Sequence, residues 1–579
     1  MLHASSSHSH SSRSLSKLSL PMSCSIAALL VLVSLFLPLH QSTSSCYAAG
    51  ADDGAAAHSL SSCLLSHGVN NFTLRTSPSY AAILNSSISN LRFALPDVGK
   101  PAAVVLPASK RDLQRAVVCA RESSLAIRVR SGGHSYEGLS YTTENHVPFV
   151  VIDVANLNRV RVDRGSATAW AESGATLGEL YYAVGRSSRS LAFSAGSCST
   201  IGLGGIVSGG GFGLLSRKFG LAADNVLDAV LVDADGRVLD RTTMGADVFW
   251  AIRGGGGGSW GVVYAWKLRL VPVPRNVTVF SVGRTGPVDL VAGLVHRWQF
   301  VAPSLPDDFY LSVYLPTGGA GSSSSSDGNV SVSFSGQVLG PKHRALSALR
   351  QSFPELGLTE SELAETSWLE ATAQFAGLDT AADLPNRLLG RSKQYSKGKS
   401  DYVRSPISRR AMAGIVRYLS TGPPRQGQGQ GQGGGYVILD PYGGAMARIG
   451  SGDTPCPHRA GTLYGVQYQV YWDEDDGDLG GRAAAAGEFC VGWLRSLYAF
   501  MAPHVSKDPR AAYVNYLDLD LGADNWTAPA GGSSEAAVAR ARSSWGAAYF
   551  GDNFDRLVRA KTLADPGNVF NNAQSIPPL

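Results

Sequence analysis

The chain has 579 residues, 44% of them hydrophobic and 16% charged, with a formal net charge of +5. That length exceeds one ordinary hydrophobic core, and the composition excludes a disordered or fibrous chain in favour of a globular one, with two domains expected. The charge is spread along the chain without a Lys/Arg run interleaved with aromatics, so no nucleic-acid groove is expected.

The N-terminus reads as an address. Arg13 and Lys17 precede an apolar run at 25–39, and small residues follow it, the pattern of a secretory signal cleaved near Ala48 to Gly50. The run is too short to cross a bilayer comfortably, and nothing later is long and apolar enough to anchor the chain. Five Asn-X-Ser/Thr sequons, at Asn71, Asn85, Asn276, Asn329 and Asn525, suit the secretory route. A secreted, extracellular glycoprotein without a membrane span is the expectation. Once Cys24 and Cys46 leave with the signal, the mature chain keeps Cys63, Cys119, Cys198, Cys456 and Cys490. An odd number in an oxidising compartment means that at least one cysteine has another occupation.

Cys63 and Cys119 sit in apolar segments of helical character, SSCLLSHGV and LQRAVVCARE. Next comes RVRSGGHSYEGLSY (128–141), where Gly132 and Gly133 bare the backbone beside Arg130 and His134; such a loop suits a flat or anionic ligand lying against amide groups. Strand-like pieces FVVIDVANL, ATAWAES, NVLDAVLVDADGRVLD and GVVYAWKL alternate with short helices up to Leu270, an α+β mixture. Cys198 lies within the glycine-crowded AGSCSTIGLGGIVSGGGFG, a setting like that of His134. Two familiar motifs fail nearby. GLGGIV has Val207 where a dinucleotide fingerprint needs its third glycine. GGSWG matches the serine-hydrolase elbow, but the residues after Ser259 alternate as a strand rather than starting a helix. No His/Cys/Asp/Glu cluster has zinc spacing, so no metal is expected.

Past Pro272 the pattern changes to longer antiparallel-looking strands, VTVFSV, FYLSVYL, VSVSFSGQVL, YVILDPYGG and LYGVQYQVYW, separated by helices. GGAGSSSSSDG (318–328) and QGQGQGQGGG (426–435) read as loop insertions within this second region, with strands resuming on both sides.

RVRSGGHSYEGLSY, the Cys198 segment, RKFGLAADNV, DVFWAIRGGGGGSWGVV, PYGGAM, PHRAGTLYGVQYQVYW, YVNYLDLDLG and the terminal NNAQSIPPL occur in one order from about Ser62 to Leu579. Together they resemble the berberine bridge enzyme-like family, the plant secreted branch of the vanillyl-alcohol-oxidase (PCMH-type) flavoproteins. The resemblance implies an α+β fold. After a signal peptide at 1–49, residues 50–272 and a returning C-terminal segment, 531–579, would form the FAD-binding domain. An inserted substrate domain of antiparallel sheet plus helices, 273–530, would roof the active site.

The resemblance also implies a bicovalently held FAD, with His134 bonded to the flavin 8α-methyl carbon and Cys198 to C6. Arg130, Ser131, Gly132, Gly133, Ser135, Gly205, Gly209 and Gly210 would surround the cofactor, the Gly132 and Gly133 amides meeting its pyrophosphate. Cys63 would pair with Cys119, leaving Cys456 and Cys490 as a second bridge or as free thiols. On the substrate side it implies Tyr136, Gln467, Tyr513 and Tyr516. Glutamine cannot remove a hydroxyl proton, so a tyrosinate, Tyr516 first and Tyr513 next, is the expected base, provided that its pKa of about 10 is lowered.

Departures accompany the match. Gly465 stands where many members have a lysine, Phe212 where many have a tyrosine, and Gln467 where the alkaloid-cyclising members have a glutamate, which speaks against that chemistry here. Ser135, Ser199 and Ile206 replace a frequent aspartate, proline and histidine. Ile201, three residues after Cys198, would stand as an oxygen gate beside the flavin. The expected function is oxidation of a primary or anomeric alcohol, monolignol-like or on an oligosaccharide, by a monomeric cell-wall enzyme. It would act as a dehydrogenase, passing electrons to quinone or dye acceptors in preference to oxygen. The alternative from another class is a weakly active or non-catalytic, flavin-loaded binding protein.

Overall fold

The computed structural model describes residues 51–143, 147–318, 329–390, 393–423, 434–473, 482–526 and 534–579. The segment read as a signal lies outside them, as does most of both proposed insertions, namely 319–328 and 426–433. Strands flank the first insertion, Phe309–Pro316 and Val330–Val338. The second instead follows the helix Arg409–Ser420 and runs into the strand Gly434–Pro441.

A four-stranded sheet opens the structure, in the order Phe72–Leu74, Ala103–Val105, Phe149–Asp153, Ala126–Arg130. Its last three strands are parallel. The helix Lys110–Glu122 joins two of them, N-capped by the Ser109 hydroxyl, which accepts from the Asp112 N–H. The SGGHSY loop therefore leaves the carboxyl end of a parallel strand, the place where open sheets of this kind present loops to ligands. A five-stranded antiparallel sheet follows, ordered Val160–Asp163, Thr168–Glu172, Val262–Arg269, Val226–Val232, Val238–Leu239. Val262–Arg269 is the strand expected after Ser259, so the hydrolase elbow is absent.

The third sheet has seven antiparallel strands, ordered Ala364–Thr366, Val277–Gly286, Val330–Val338, Phe309–Pro316, Gly434–Pro441, Tyr464–Trp472, Tyr395–Val403. Strand side chains alternate between faces. Here Val437, Leu439, Val466 and Val470 join a core with Ile415, Trp298, Leu494 and Leu349 from the helices Arg409–Ser420, Val288–Val301, Arg482–Met501 and Lys342–Ser352. The other face, carrying Tyr436, Ile438, Gln467 and Gln469, is left for a cavity. Arg217, wholly buried, ties the helix Ser216–Phe219 to this region by donating to the carbonyls of Pro303, Leu305, Pro306, Phe309 and Tyr442. The tail NNAQSIPPL packs back on the first sheet, with Arg128 Nη1 donating to Asn571 O at 2.6 Å.

Cys63 and Cys119, on the helices Ala51–Ser66 and Lys110–Glu122, form a disulfide with a Cα–Cα distance of 5.6 Å. Cys198, Cys456 and Cys490 are free thiols. Asn71, Asn85, Asn276 and Asn525 are exposed and Asn329 is half-buried. Among the described residues, no helix is long and apolar enough to cross a membrane.

Candidate active site

A cavity of about 750 Å³ lies between the His134 loop, the Cys198 loop and the face of the seven-stranded sheet. That volume suits a cofactor together with a small molecule. Its wall includes Ser131, Gly132, Gly133, His134, Ser135 and Tyr136 from the first loop, and Cys198, Ile201 and Gly205 from the second. Gln467, Tyr513 and Tyr516 join Tyr136 to give the substrate-side residues expected from the sequence.

The two glycines of the first loop have a reason beyond the ligand. A Cβ on Gly132 would lie 2.3 Å from the Gly202 N, and one on Gly133, whose φ is +71°, would lie 1.7 Å from the Ser87 O. Backbone is thus pressed against backbone, and only glycine permits it. The consequence is that the His134 and Cys198 loops are held together. The buried Thr200 joins them chemically, with its Oγ1 2.9 Å from His134 Nε2 and 3.5 Å from the Cys198 Sγ. Thr200 escaped the sequence reading because a threonine in a serine- and glycine-rich loop carries no signal of its own.

Three residues expected at the cofactor face elsewhere. Arg130 is fully buried in a two-nitrogen pair with Asp153, at 2.8 and 2.7 Å, and its remaining donors go to the Leu84 and Ile83 carbonyls. With its donors so engaged, it is a structural cation and not part of the cavity wall. Gly209 and Gly210 lie behind the wall, where added Cβ atoms would meet Asn515 Oδ1 at 2.0 Å and Cys456 Sγ at 2.7 Å.

On the substrate side, the rings of Tyr136 and Tyr516 stack at 5.4 Å with 5° between planes, and Tyr513 meets Tyr516 edge-on at 5.1 Å. Gln467 Nε2 donates to Tyr136 Oη at 2.6 Å. Tyr513 Oη accepts from the Gly211 and Phe212 amides and from Asn515 Nδ2, at 2.9, 3.1 and 3.0 Å. Burial nevertheless pushes the Tyr513 pKa up to about 12, the three donors opposing it. Burial also lifts Tyr136 and Tyr516 well above the ordinary phenol value; the Gln467 hydrogen bond opposes it at Tyr136, and among the described residues no cation offsets it. These tyrosines are therefore neutral hydrogen-bonding groups at neutral pH. Phe212, in place of a further phenol, stacks on Tyr442 at 5.1 Å.

One cavity carboxylate was missed. Asp440, at the end of YVILD, shares the cavity face with Tyr436 and Ile438 and accepts from Tyr310 Oη at 2.5 Å. Period-two alternation along that strand, set against GVQYQVY, was the available signal.

The donor set fits a flavin. Bare glycine backbone at Gly205 and Gly255–Gly258 faces the cavity, and a Cβ on Gly205 would meet nothing within 4 Å. An imidazole and a free thiol stand on adjoining loops. An oxidoreductase built around FAD is the class that this fold and cavity define. Residues 101–242 match an FAD binding domain, and 512–577 match the berberine and berberine-like C-terminal segment. The chain is 49% identical over 540 residues to berberine bridge enzyme-like D-2 of Nicotiana tabacum, covering 90% of this chain and 92% of that one. It is 42% identical over 530 residues to monolignol oxidoreductase AtBBE-like 13 of Arabidopsis thaliana, covering 91% and 92%. The crystal structure of berberine bridge enzyme from Eschscholzia californica superposes with a TM-score of 0.81 at 46% identity, covering 90% of this chain and 99% of that one. The chain belongs to the berberine bridge enzyme-like family of FAD-binding oxidoreductases.

Proposed function

We propose that this protein oxidises the primary alcohol of an aromatic, monolignol-like substrate with a bicovalently held FAD. The carrying observation is that His134 and Cys198 reach one cavity from two loops while Tyr136, Gln467, Tyr513 and Tyr516 face the same space. When bound, FAD supplies a two-electron hydride acceptor. The protein's own part is to bind and orient. His134 and Cys198 hold the ring; residues 50–272 and 531–579 form its domain, and 273–530 carry the substrate.

The stacked Tyr136–Tyr516 pair presents aromatic surface to a planar substrate. Tyr136 Oη, fixed by Gln467, and Tyr513 Oη, fixed by three donors, orient the hydroxyl. The similarity to a monolignol oxidoreductase supports an aromatic alcohol over a saccharide. Ile201, lining the cavity three residues after Cys198, favours acceptors other than oxygen. The work is done outside the cell, in keeping with four exposed sequons and the disulfide. Anaerobic mixing with cinnamyl alcohol or with glucose tests the reading: bleaching of the flavin by the first and not the second is expected. Bleaching by glucose alone would move the substrate class to sugars. Bleaching by no alcohol would leave a flavin-loaded binding protein.

A further inference from the structure

Asp440 occupies a position that the reaction above does not yet use. Strand pairing sets Ile438 opposite Gln467 and Asp440 opposite Gly465. Gly465 has no side chain, so nothing from the neighbouring strand screens the carboxylate from the cavity. Tyr310, on the strand Phe309–Pro316, donates to Oδ1. Among the described residues Oδ2 has no protein partner, and no lysine or arginine pairs with Asp440. Among the described residues the titratable groups coupled to it are phenols: Tyr310 on its other neighbouring strand and Tyr516 from the turn Val514–Tyr516. The strand Tyr464–Trp472 adds only Gly465 and Gln467 there. Burial pushes the Asp440 pKa up to about 6, with the Tyr310 hydrogen bond opposing. It is therefore ionised at neutral pH while the three site tyrosines are not.

We propose that Asp440 is the general base of this site, taking the proton of the substrate hydroxyl on Oδ2 while Tyr310 holds Oδ1. The proposal rests on the alcohol-oxidation reading. In the step, the substrate O–H bond breaks and an Oδ2–H bond forms. The electron pair left on oxygen becomes the second bond of the carbonyl as carbon gives up hydrogen with its pair, two electrons and one hydrogen, to oxidised FAD. The proton then leaves Asp440 to water. Alcohol is oxidised, FAD is reduced, and the charge balances. The three tyrosines and Gln467 position the substrate and take no proton.

The test compares wild-type holoenzyme with Asp440→Asn, Tyr310→Phe and Tyr516→Phe, using cinnamyl alcohol from about pH 5 to about pH 9. Wild-type flavin reduction should rise through one ionisation near pH 6. Asp440→Asn should be slower by about 10²–10⁴-fold and lose that rise. Tyr310→Phe should move the rise to higher pH, because its hydrogen bond favours the ionised carboxylate. A second readout needs no turnover: an infrared carboxylic C=O band that appears in wild-type protein as pH falls through about 6 should be missing from Asp440→Asn. Asp440→Asn should also melt higher than wild type at alkaline pH, which separates lost chemistry from lost folding. Reduction of Asp440→Asn at the wild-type rate, or loss of the pH rise in Tyr516→Phe instead, overturns the proposal. Should no alcohol reduce even the wild type, the alcohol-oxidation reading fails by itself. The band then decides for Asp440, and a carboxylate ionised throughout overturns its role as proton acceptor.

Discussion

Tyr136 and Tyr516 lie ring on ring although they come from opposite ends of the chain, and the strand that brings them together is Tyr395–Val403. Its Gly398 makes room, since a Cβ there would lie 2.5 Å from the Tyr136 ring. On the opposite face, the buried Lys397 pairs with Glu137, next to Tyr136, and with Asp518 at 2.8 Å; Lys399 pairs with Asp518 and Asp520, both at 2.6 Å. Burial by itself would lower the Lys397 pKa, but Glu137 and Asp518 overcome it and hold it above the ordinary value. The cluster thus clamps the segment carrying each tyrosine to one edge strand.

Removing one partner of such a buried pair strands the other charge. Lys397→Met is expected to cost about 3–5 kcal/mol in urea unfolding. Gly398→Ala should cost less stability but displace Tyr136, raising KM for the alcohol. A Lys397→Met protein as stable as wild type would show that the cluster is not a clamp.

Flavin attachment gives the second prediction. Acid-precipitated holoprotein should remain yellow, and His134→Ala or Cys198→Ala should each leave a single linkage. Peptide mass spectrometry locating flavin on neither residue would remove the bicovalent reading. The same digest should show Cys63 joined to Cys119, with Cys456 and Cys490 labelled only after denaturation, since both are buried free thiols.

The oxygen gate gives the third. Ile201 lines the cavity, and the methylene it carries beyond valine is proposed to narrow the approach of dioxygen. Protein reduced anaerobically and then mixed with air-saturated buffer should reoxidise slowly, and Ile201→Val should be faster. Rapid reoxidation of the unaltered protein would make it an oxidase.

Stability should also depend on pH through Asp524. Among the described residues its Oδ2 is buried without a hydrogen-bond partner, and burial pushes its pKa up to about 7, Arg540 opposing. The folded-state pKa then exceeds the unfolded value of about 3.9, so the folded protein holds the proton more tightly. Stability is fully present below about pH 4 and is lost as pH rises through about 7, by at most about 4 kcal/mol. Asp524→Asn should raise the melting temperature near pH 8 and leave it unchanged near pH 4. An equal shift at both would assign the effect to packing.

Much was legible in the residues alone. Period-two alternation marked Phe309–Pro316, Val330–Val338 and Tyr464–Trp472 as strands, and glycine-rich segments marked the His134 and Cys198 loops, because these signals are local. Other features depend on partners far along the chain. Tyr395–Val403 reads YSKGKSDYV, with lysine, glycine and aspartate where a strand favours branched or aromatic residues. Its buried charges are matched only by Glu137, Asp518, Asp520 and Arg510, which the fold supplies. Arg130 looked like a ligand group until Asp153 was beside it. Asp440 carried no signal of its own within YVILDPYGG until register placed it opposite Gly465 and facing a cavity. Residue types and local periods set which chemistry the chain could carry; which carboxylate is paired and which is left open to a substrate was decided by strand register and long-range packing, because a charge's partner lies across the fold.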